Sequence, residues 1–390
     1  MRPVRVRLLI FTTIVNFSSI IFSAFSFSHS IGGYIEDLPF VSFPSTTFSS
    51  AGMNNLLQFR LNTEWDPFSS LAIVVDGRVL WYGGQDFENG AMIAEQLRSN
   101  PGYLDMGWAQ GSNEVPMVLY ENIDRLSVSS TLGKLTATAG RQRINWGTNL
   151  IWNPNDWYNA FNYLDFAYPE HPGADALRFQ YYPNSTTVVE LALQAGKAQV
   201  DRTFAALYKC NKWAYDWQFQ GGLSGNDLAC GFSWSGSIRG GGFRGELSYY
   251  YPVIDRESFD DQEVVTSISY DYTFSNSLYL QFSGLYNGFG APDSSSVSLT
   301  TLSRVTAKSL IPKRYALYGE IAYQLTPLWH LDFAASVSPT DGSLYLSPAV
   351  TISVLDNLDL LFLGQIFIGK PGDLYGGASD IVTASLKWSF

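Results

Sequence analysis

Between Gly133 and Pro183 the chain alternates twice, with a long irregular stretch in between. Leu135, Ala137 and Ala139 alternate with Lys134, Thr136 and Thr138; further on, Leu177, Phe179 and Tyr181 alternate with Arg178, Gln180 and Tyr182. Strict period-two alternation predicts a strand with unlike faces, and no i, i+3, i+4 stripe fits either run. The stretch from Trp146 to Ala174 is rich in aromatic residues, Asn, Pro and Gly and reads as a loop. Strand, long aromatic loop, strand is the unit that the remaining sequence repeats.

Taken in order, the pattern predicts a short first strand over Ile31–Asp37, then Asn54–Glu64 and Leu71–Tyr82. A long loop follows, Gly83–Glu121, with a short helix around Met92–Leu97. Strands then fall at Asn122–Thr131, Thr187–Ala195, Arg202–Tyr208, Trp213–Gly221, Leu228–Ile238 and Gly242–Tyr251, besides the two above. The last seven are Val264–Phe274, Leu278–Gly288, Tyr315–Leu325, Trp329–Val337, Leu344–Val354, Leu358–Phe367 and Ile381–Phe390. The tally is about 18, with about 16 inside the slip of pattern-based boundaries. Connections alternate in length: Asp66-Pro67, Asn184-Ser185, Ser275-Asn276 and Asp356-Asn357 are tight, whereas Asn145–Asp175, Pro252–Glu263 and Phe289–Arg314 are long. Short turns at one end and long loops at the other are the habit of transmembrane barrels.

Alternation in one strand does not separate a soluble sandwich from a membrane barrel, since only the sense of the faces differs. Size does. Nearly every segment of the 390 residues carries large aliphatic or aromatic side chains on one face, and no linker divides the chain into sandwich-sized units. Charged residues make up 15%, below the usual quarter or so of a soluble protein, and aromatics another 15%. The fold expected is all-β, a transmembrane antiparallel up-and-down barrel spanning 29–390. Residues 1–28 read as a cleaved signal peptide, with Arg2, Arg5 and Arg7 before an apolar run from Leu8 to Phe25 and small residues at Ala24, Ser26 and Ser28. No Cys follows that run, which excludes a lipoprotein anchor. A formal net charge of −11 argues against nucleic acid as a partner. With Cys210 placed in a turn at one end of the barrel and Cys230 near the other, a disulfide is disfavoured, although the export route permits one.

The terminal run ending Trp388-Ser389-Phe390 resembles the C-terminal signal by which bacterial outer-membrane barrels are recognised for assembly. The neighbourhoods Gly140-Arg141-Gln142 and Asn145-Trp146-Gly147 look like those of porin-like and exporter-like outer-membrane proteins. These resemblances imply a location in the bacterial outer membrane, lipid and the barrel-assembly machinery as partners, the latter through the strand ending at Phe390, and passage of small polar solutes. The acidic Pro-Glu-Phe-Gly-Gly signature of the general trimeric porins is missing, so the oligomeric state stays open.

In such a barrel the apolar faces meet hydrocarbon, with Trp217, Tyr272, Trp329 and Trp388 in the interfacial girdles. The inward faces supply the expected lining: Arg60, Glu64, Arg125 and Gln142; then Arg178, Gln180, Glu190, Asp216 and Gln218; then Arg244, Glu246, Glu320 and Asp332. Both signs occur. They set up a transverse field that orients solutes, or they pair with one another and fix the wall. Alternation past Ala139 puts Arg141 and Arg143 toward lipid, and a bulge at Gly140 that reverses the faces is the favoured remedy. The loop Asn145–Asp175 is the expected constriction, its aromatics suited either to stacking on solute rings or to packing together.

The leading functional expectation is a channel for passive or selective diffusion. The alternatives are a plugged structural or surface-binding barrel and an outer-membrane lipid hydrolase. The last needs a Ser activated by His on the wall; His29, His171 and His330 do not fall mid-strand on the lipid face. No cofactor is called for. The acidic stretch Asp255–Glu263 lacks the ligand spacing of a Ca²⁺ loop, and Gly240–Gly242 leads into a strand rather than a phosphate-cradling helix.

Overall fold

A computed structural model describes residues 28–44, 51–98, 102–161, 163–164, 170, 172–253, 262–292 and 305–390. The signal segment, His171 and most of the acidic stretch lie outside the described residues.

The first six strands are β1 (Ser28–Pro44), β2 (Gly52–Phe68), β3 (Leu71–Gly84), β4 (Gly107–Ser112), β5 (Met117–Leu132) and β6 (Leu135–Gln142). A nine-residue helix, α1 (Gly90–Arg98), stands between β3 and β4. After the long segment come β7 (Ala174–Asn184), β8 (Thr187–Gln194), β9 (Thr203–Lys212), β10 (Tyr215–Ser224), β11 (Asp227–Ile238), β12 (Gly241–Pro252) and β13 (Glu263–Thr273). The rest are β14 (Leu278–Asn287), β15 (Tyr315–Thr326), β16 (Trp329–Val337), β17 (Leu344–Leu355), β18 (Leu358–Ile368) and β19 (Ser379–Ser389). Setting β4 aside, each strand pairs antiparallel with the next in sequence, so that β3 pairs directly with β5. The ring is closed by β1 against β19, with Tyr34 opposite Ser389 and Pro44 opposite Ser379. Eighteen strands therefore form the closed antiparallel barrel expected from the sequence, and β4 is an addition that pairs with β5 alone.

Alternation dictates the two faces as expected. Phe282, Ile321 and Val382 point outward, 60%, 50% and 54% exposed, while their neighbours Gln281, Ala322 and Thr383 are buried. Near the turn end the outward rings of Tyr215, Trp217, Phe232, Trp234 and Phe243 run from strand to strand with centroids 5.7 to 5.9 Å apart. Such a ladder matches the aromatic girdle at a membrane interface.

Four sequence expectations need correction. β1 runs over 17 residues rather than Ile31–Asp37, because β2 and β19 flank it along most of its length. β5 begins at Met117, five residues before the expected start, since β3 and β4 pair with its upper part. Cys210 is inside β9, opposite Trp217; the turn lies beyond it at Trp213 and Ala214, with φ of 57° and 61°. Both cysteines are free. Finally, there is no bulge at Gly140: it pairs in unbroken register with Ser127 and Ala176. Its φ of 113° nonetheless needs glycine, and a Cβ there would lie 2.2 Å from the Leu126 carbonyl oxygen.

The main apolar core is not between sheets but between the wall and residues 144–158. Ile144, Trp146, Trp152, Trp157 and Tyr158 pack on Ala192, Ala205, Leu207, Ala229 and Tyr250. Alanines on inward positions of β8, β9 and β11 make the space that the large rings fill.

If the outward face meets hydrocarbon, Phe282→Arg costs about 2–4 kcal/mol of folding free energy in bilayers. The same change at exposed Glu64 costs much less. Denaturant titrations in lipid vesicles measure both, and equal costs would refute the facing.

Candidate functional site: the segment inside the barrel

At Gln142 the backbone leaves the wall and does not rejoin it until Ala174. The partners of the intervening residues locate it. Trp146 Nε1 donates to Glu190 Oε1 on β8 at 2.7 Å, and the Tyr158 hydroxyl donates to the Ala192 carbonyl at 2.9 Å. Gln218 and Gln220 on β10 donate to the carbonyls of Trp146 and Asn155 at 2.6 and 2.8 Å. Trp157 Nε1 donates to Ser248 on β12 at 3.0 Å, and Asn149 exchanges hydrogen bonds with Ser267 and Ser269 on β13. Further along, the Tyr163 hydroxyl meets that of Tyr375, which meets Ser336 on β16, and Gln365 on β18 donates to the Leu164 carbonyl at 3.0 Å. Glu170 lies 3.4 Å from Arg60 on β2. Partners on β2, β8, β10, β12, β13, β16 and β18 encircle the segment, so it lies within the barrel.

Glu246 anchors its first half. Fully buried, its Oε1 accepts from the backbone N–H of Thr148, the Thr148 hydroxyl at 3.2 Å and the N–H of Asn149 at 2.6 Å; Oε2 accepts from the N–H of Asn155 at 2.9 Å. A carboxylate can accept several bonds at once, and charge-assisted bonds are the stronger kind. One wall side chain thus replaces the ladder partners that an irregular segment lacks.

Asp156 is buried beside this anchor. Burial, and then the Glu246 charge, push its carboxyl up to about 7; the N–H groups of Asn159 and Trp146 and the Arg143 charge pull the other way.

The other expected lining residues fall into groups. Arg60 pairs with Asp124 at 2.7 Å and stands 3.9 Å from Asp76, and Arg78 lies 3.5 Å from Asp124. Arg125 sits at the bulge where Asp76 faces Arg125 but Gly77 faces Ile123, which leaves Asp124 as the extra residue. Arg178 grips Glu190 with two bonds of 2.6 and 2.8 Å, and Gln180 adds a third at 3.1 Å. Arg244 pairs with Asp271. Glu320 accepts from the Tyr318 hydroxyl at 2.9 Å and lies diagonally from Asp332 across the β15–β16 pair. Asp216 is half-buried, with Lys209 at 3.6 Å, and Glu64 is exposed toward the turn end of β2. Gln142 is spent on the backbone, donating to the Ala176 carbonyl at 3.1 Å.

Sequence reading missed Arg78, Asp76 and Asp124, and the Tyr163–Tyr375–Ser336 chain. Of the two uses left open for the loop aromatics, packing is the one that the structure bears out: Trp146 and Trp152 are each 2% exposed. Groups of His, Cys, Asp and Glu spaced to hold a metal do not occur among the described residues. His330 bonds the Gln324 side chain at 3.1 Å.

No family model matches this chain, and no curated protein matches it. Solved structures do. OccAB3 from Acinetobacter baumannii superposes with a TM-score of 0.57 at 9% identity, over 93% of this chain and 99% of that one. A BenF-like porin from Pseudomonas fluorescens gives 0.56 at 10%, covering 93% and 98%. OccD3 from Pseudomonas aeruginosa gives 0.55 at 8%, covering 93% and 91%. The fold is the barrel of bacterial outer-membrane porins. The closed ring and its apolar outer face are those of a membrane-spanning barrel.

The Asp156 shift sets a pH dependence. The docked segment holds the Asp156 proton more tightly than the undocked one, so the contribution of Asp156 to docking is full below the ordinary carboxyl value of 3.8 and is lost as pH rises to about 7. Amide exchange protection over residues 144–158 should fall across that window, by up to about tenfold per pH unit, and level off above it. A rise with pH would contradict the assignment.

Proposed function

We propose that the protein is an outer-membrane channel through which small polar solutes diffuse, narrowed by the segment 143–173. The observation that carries this reading is the segment itself, held inside the ring by polar groups from nearly every side. A closed barrel of eighteen strands is wide enough to leave an aqueous interior, and side chains alone do not fill it. A folded-in segment reduces that interior to a solute-sized passage.

The lining follows from the same reading. Arg60, Arg125, Arg178, Gln180, Glu190 and Gln218 belong to the wall around the segment, with Arg244, Glu246, Glu320 and Asp332 on the far arc. Glu64 and Asp216 guard the turn-side mouth, and Gln142 marks where the segment enters. Arg60, Arg78, Arg178 and Arg244 are each matched by a carboxylate within 4 Å. Glu320 and Asp332, by contrast, are two carboxylates set diagonally across one strand pair, with the Tyr318 hydroxyl on Glu320. That arc gives the passage a local preference for cations. The barrel-assembly machinery as partner of the strand ending at Phe390, and removal of residues 1–28 on export, belong to this reading.

Single-channel recording of the refolded protein in planar bilayers tests it. A steady open level is expected, with a reversal potential shifted toward the cation. The double variant Glu320→Gln/Asp332→Asn should reduce that shift while leaving the open level within about twofold, because charge rather than width is altered. Silence at all voltages would replace the channel with a plugged barrel.

A further inference from the structure

Arg141 and Asp175 flank the inserted segment, one residue before it leaves the wall and one after it returns. By alternation both belong to the outward face, with Ala139 and Leu177. Both are nevertheless buried, at 3% and 5% exposure. The guanidinium grips the carboxylate with two bonds, Nε to Oδ1 at 2.7 Å and a terminal nitrogen to Oδ2 at 3.0 Å. Two further N–H groups go to backbone carbonyls, Ile123 on β5 at 3.1 Å and Leu104 in the outer connection between α1 and β4. Asp175 in turn accepts from the Leu104 N–H at 2.8 Å.

The covering element is that same connection. β6 pairs with β5 only as far as Arg141 opposite Leu126, so the upper half of β5 has no β6 neighbour on that side. β4 takes the vacant edge, pairing Gly107 with Asn122 and Ser112 with Met117. Gly102 bridges to Gly196 beyond β8, and α1 lies against β4 through Arg98, whose Nε donates to the Ala109 carbonyl at 2.8 Å. Gly111 and Gly90 approach so closely that a Cβ on Gly111 would stand 1.8 Å from the Gly90 carbonyl oxygen. Helix, patch strand and Leu104 thus form one packed arm, which ends on the ion pair.

Resting on the channel reading, we propose that Arg141 and Asp175 are positioning residues, a collar that closes the base of the constriction and ties it to the outer arm of α1, Leu104 and β4. A segment with both ends clamped has far fewer arrangements than one anchored only along its length. The bidentate geometry fixes direction as well as distance. The arm supplies the dry cover that a paired charge on the outward face needs, since an uncovered one would meet headgroups or lipid. Changes at the outer arm therefore reach the passage through Leu104, and the width of the passage depends on a contact outside it.

The test uses the full chain with Cys210→Ser and Cys230→Ser, so that Asn145→Cys gives one thiol on the exposed part of the segment. Arg141→Gln, Asp175→Asn and Leu104→Pro, the last removing the N–H that Asp175 accepts, are compared with the parent. Two readouts are taken: single-channel current, and the rate at which a water-soluble maleimide labels the thiol introduced by Asn145→Cys in detergent. Heat-modifiable migration on gels establishes that each variant is a folded barrel. Collar loss should replace one narrow open level with a larger, noisier spread and raise labelling several-fold in all three variants. The reversed pair Arg141→Asp/Asp175→Arg should restore part of both. Folded variants with parental current and parental labelling overturn the collar, and a parental Leu104→Pro alone overturns its link to the arm. Labelling does not depend on conduction, so a chain that never opens still answers whether the collar holds.

Discussion

Every backbone N–H and C=O that enters hydrocarbon must be paired, because each orphan there costs several kcal/mol. The architecture follows from that demand. A sheet of antiparallel hairpins meets it along its length but leaves two open edges, and here β1 and β19 meet to remove them. The seam is pinned at its turn end by a reciprocal pair, Gly33 N–H to the Phe390 carbonyl and Phe390 N–H to the Gly33 carbonyl, both 3.0 Å. The last residue of the chain is thus part of the closure, and its ring stacks near Phe59 and Trp388 on the outside.

Closure creates the second problem. A ring of eighteen strands is too wide for wall side chains to meet across it, so whatever folds inside must bring its own polar partners or borrow them. The described residues of 143–173 do both. Their rings occupy pockets left by Ala192, Ala205 and Ala229, and their backbone is satisfied by wall side chains: Glu246, Gln218, Gln220, Gln365. Polar inner positions that read as a solute-facing surface are in part structural, holding the segment rather than the solute. Gln218 and Glu246 are the clearest cases. On the channel reading, what is left to the passage is Glu320 with Asp332, since Arg60 and Arg78 are matched by Asp124 and Asp76.

The strands were legible because lipid outside and water inside force alternation on nearly every one of them. The tight turns and long loops sorted themselves to opposite ends for the same reason. The segment 145–175 stood out by length and composition, and its folding into the ring was readable. Other features depend on contacts between distant parts of the chain. Asp124 is turned inward beside Arg125 by a bulge that no glycine of β5 marks; the glycine there, Gly77, is on the facing strand. β4 exists only because β6 ends early, and nothing local in Gly107–Ser112 announces a strand. Arg141 conflicted with its own alternation, and the sequence offered a bulge as the local remedy. The actual remedy is Asp175, 34 residues away. The inward alanines were a usable signal that large rings would press there, had they been read together with the loop.

The most direct measurement of the central claim, that this segment is held inside the closed ring, is a cross-link between Asn149→Cys and Ser267→Cys in a background lacking the native cysteines. Those two side chains share a hydrogen bond. The account predicts that the disulfide forms readily in the folded barrel, with mild oxidant and without loss of heat-modifiable migration. A pair that stays reduced in the folded protein, and oxidises only after unfolding, would contradict it.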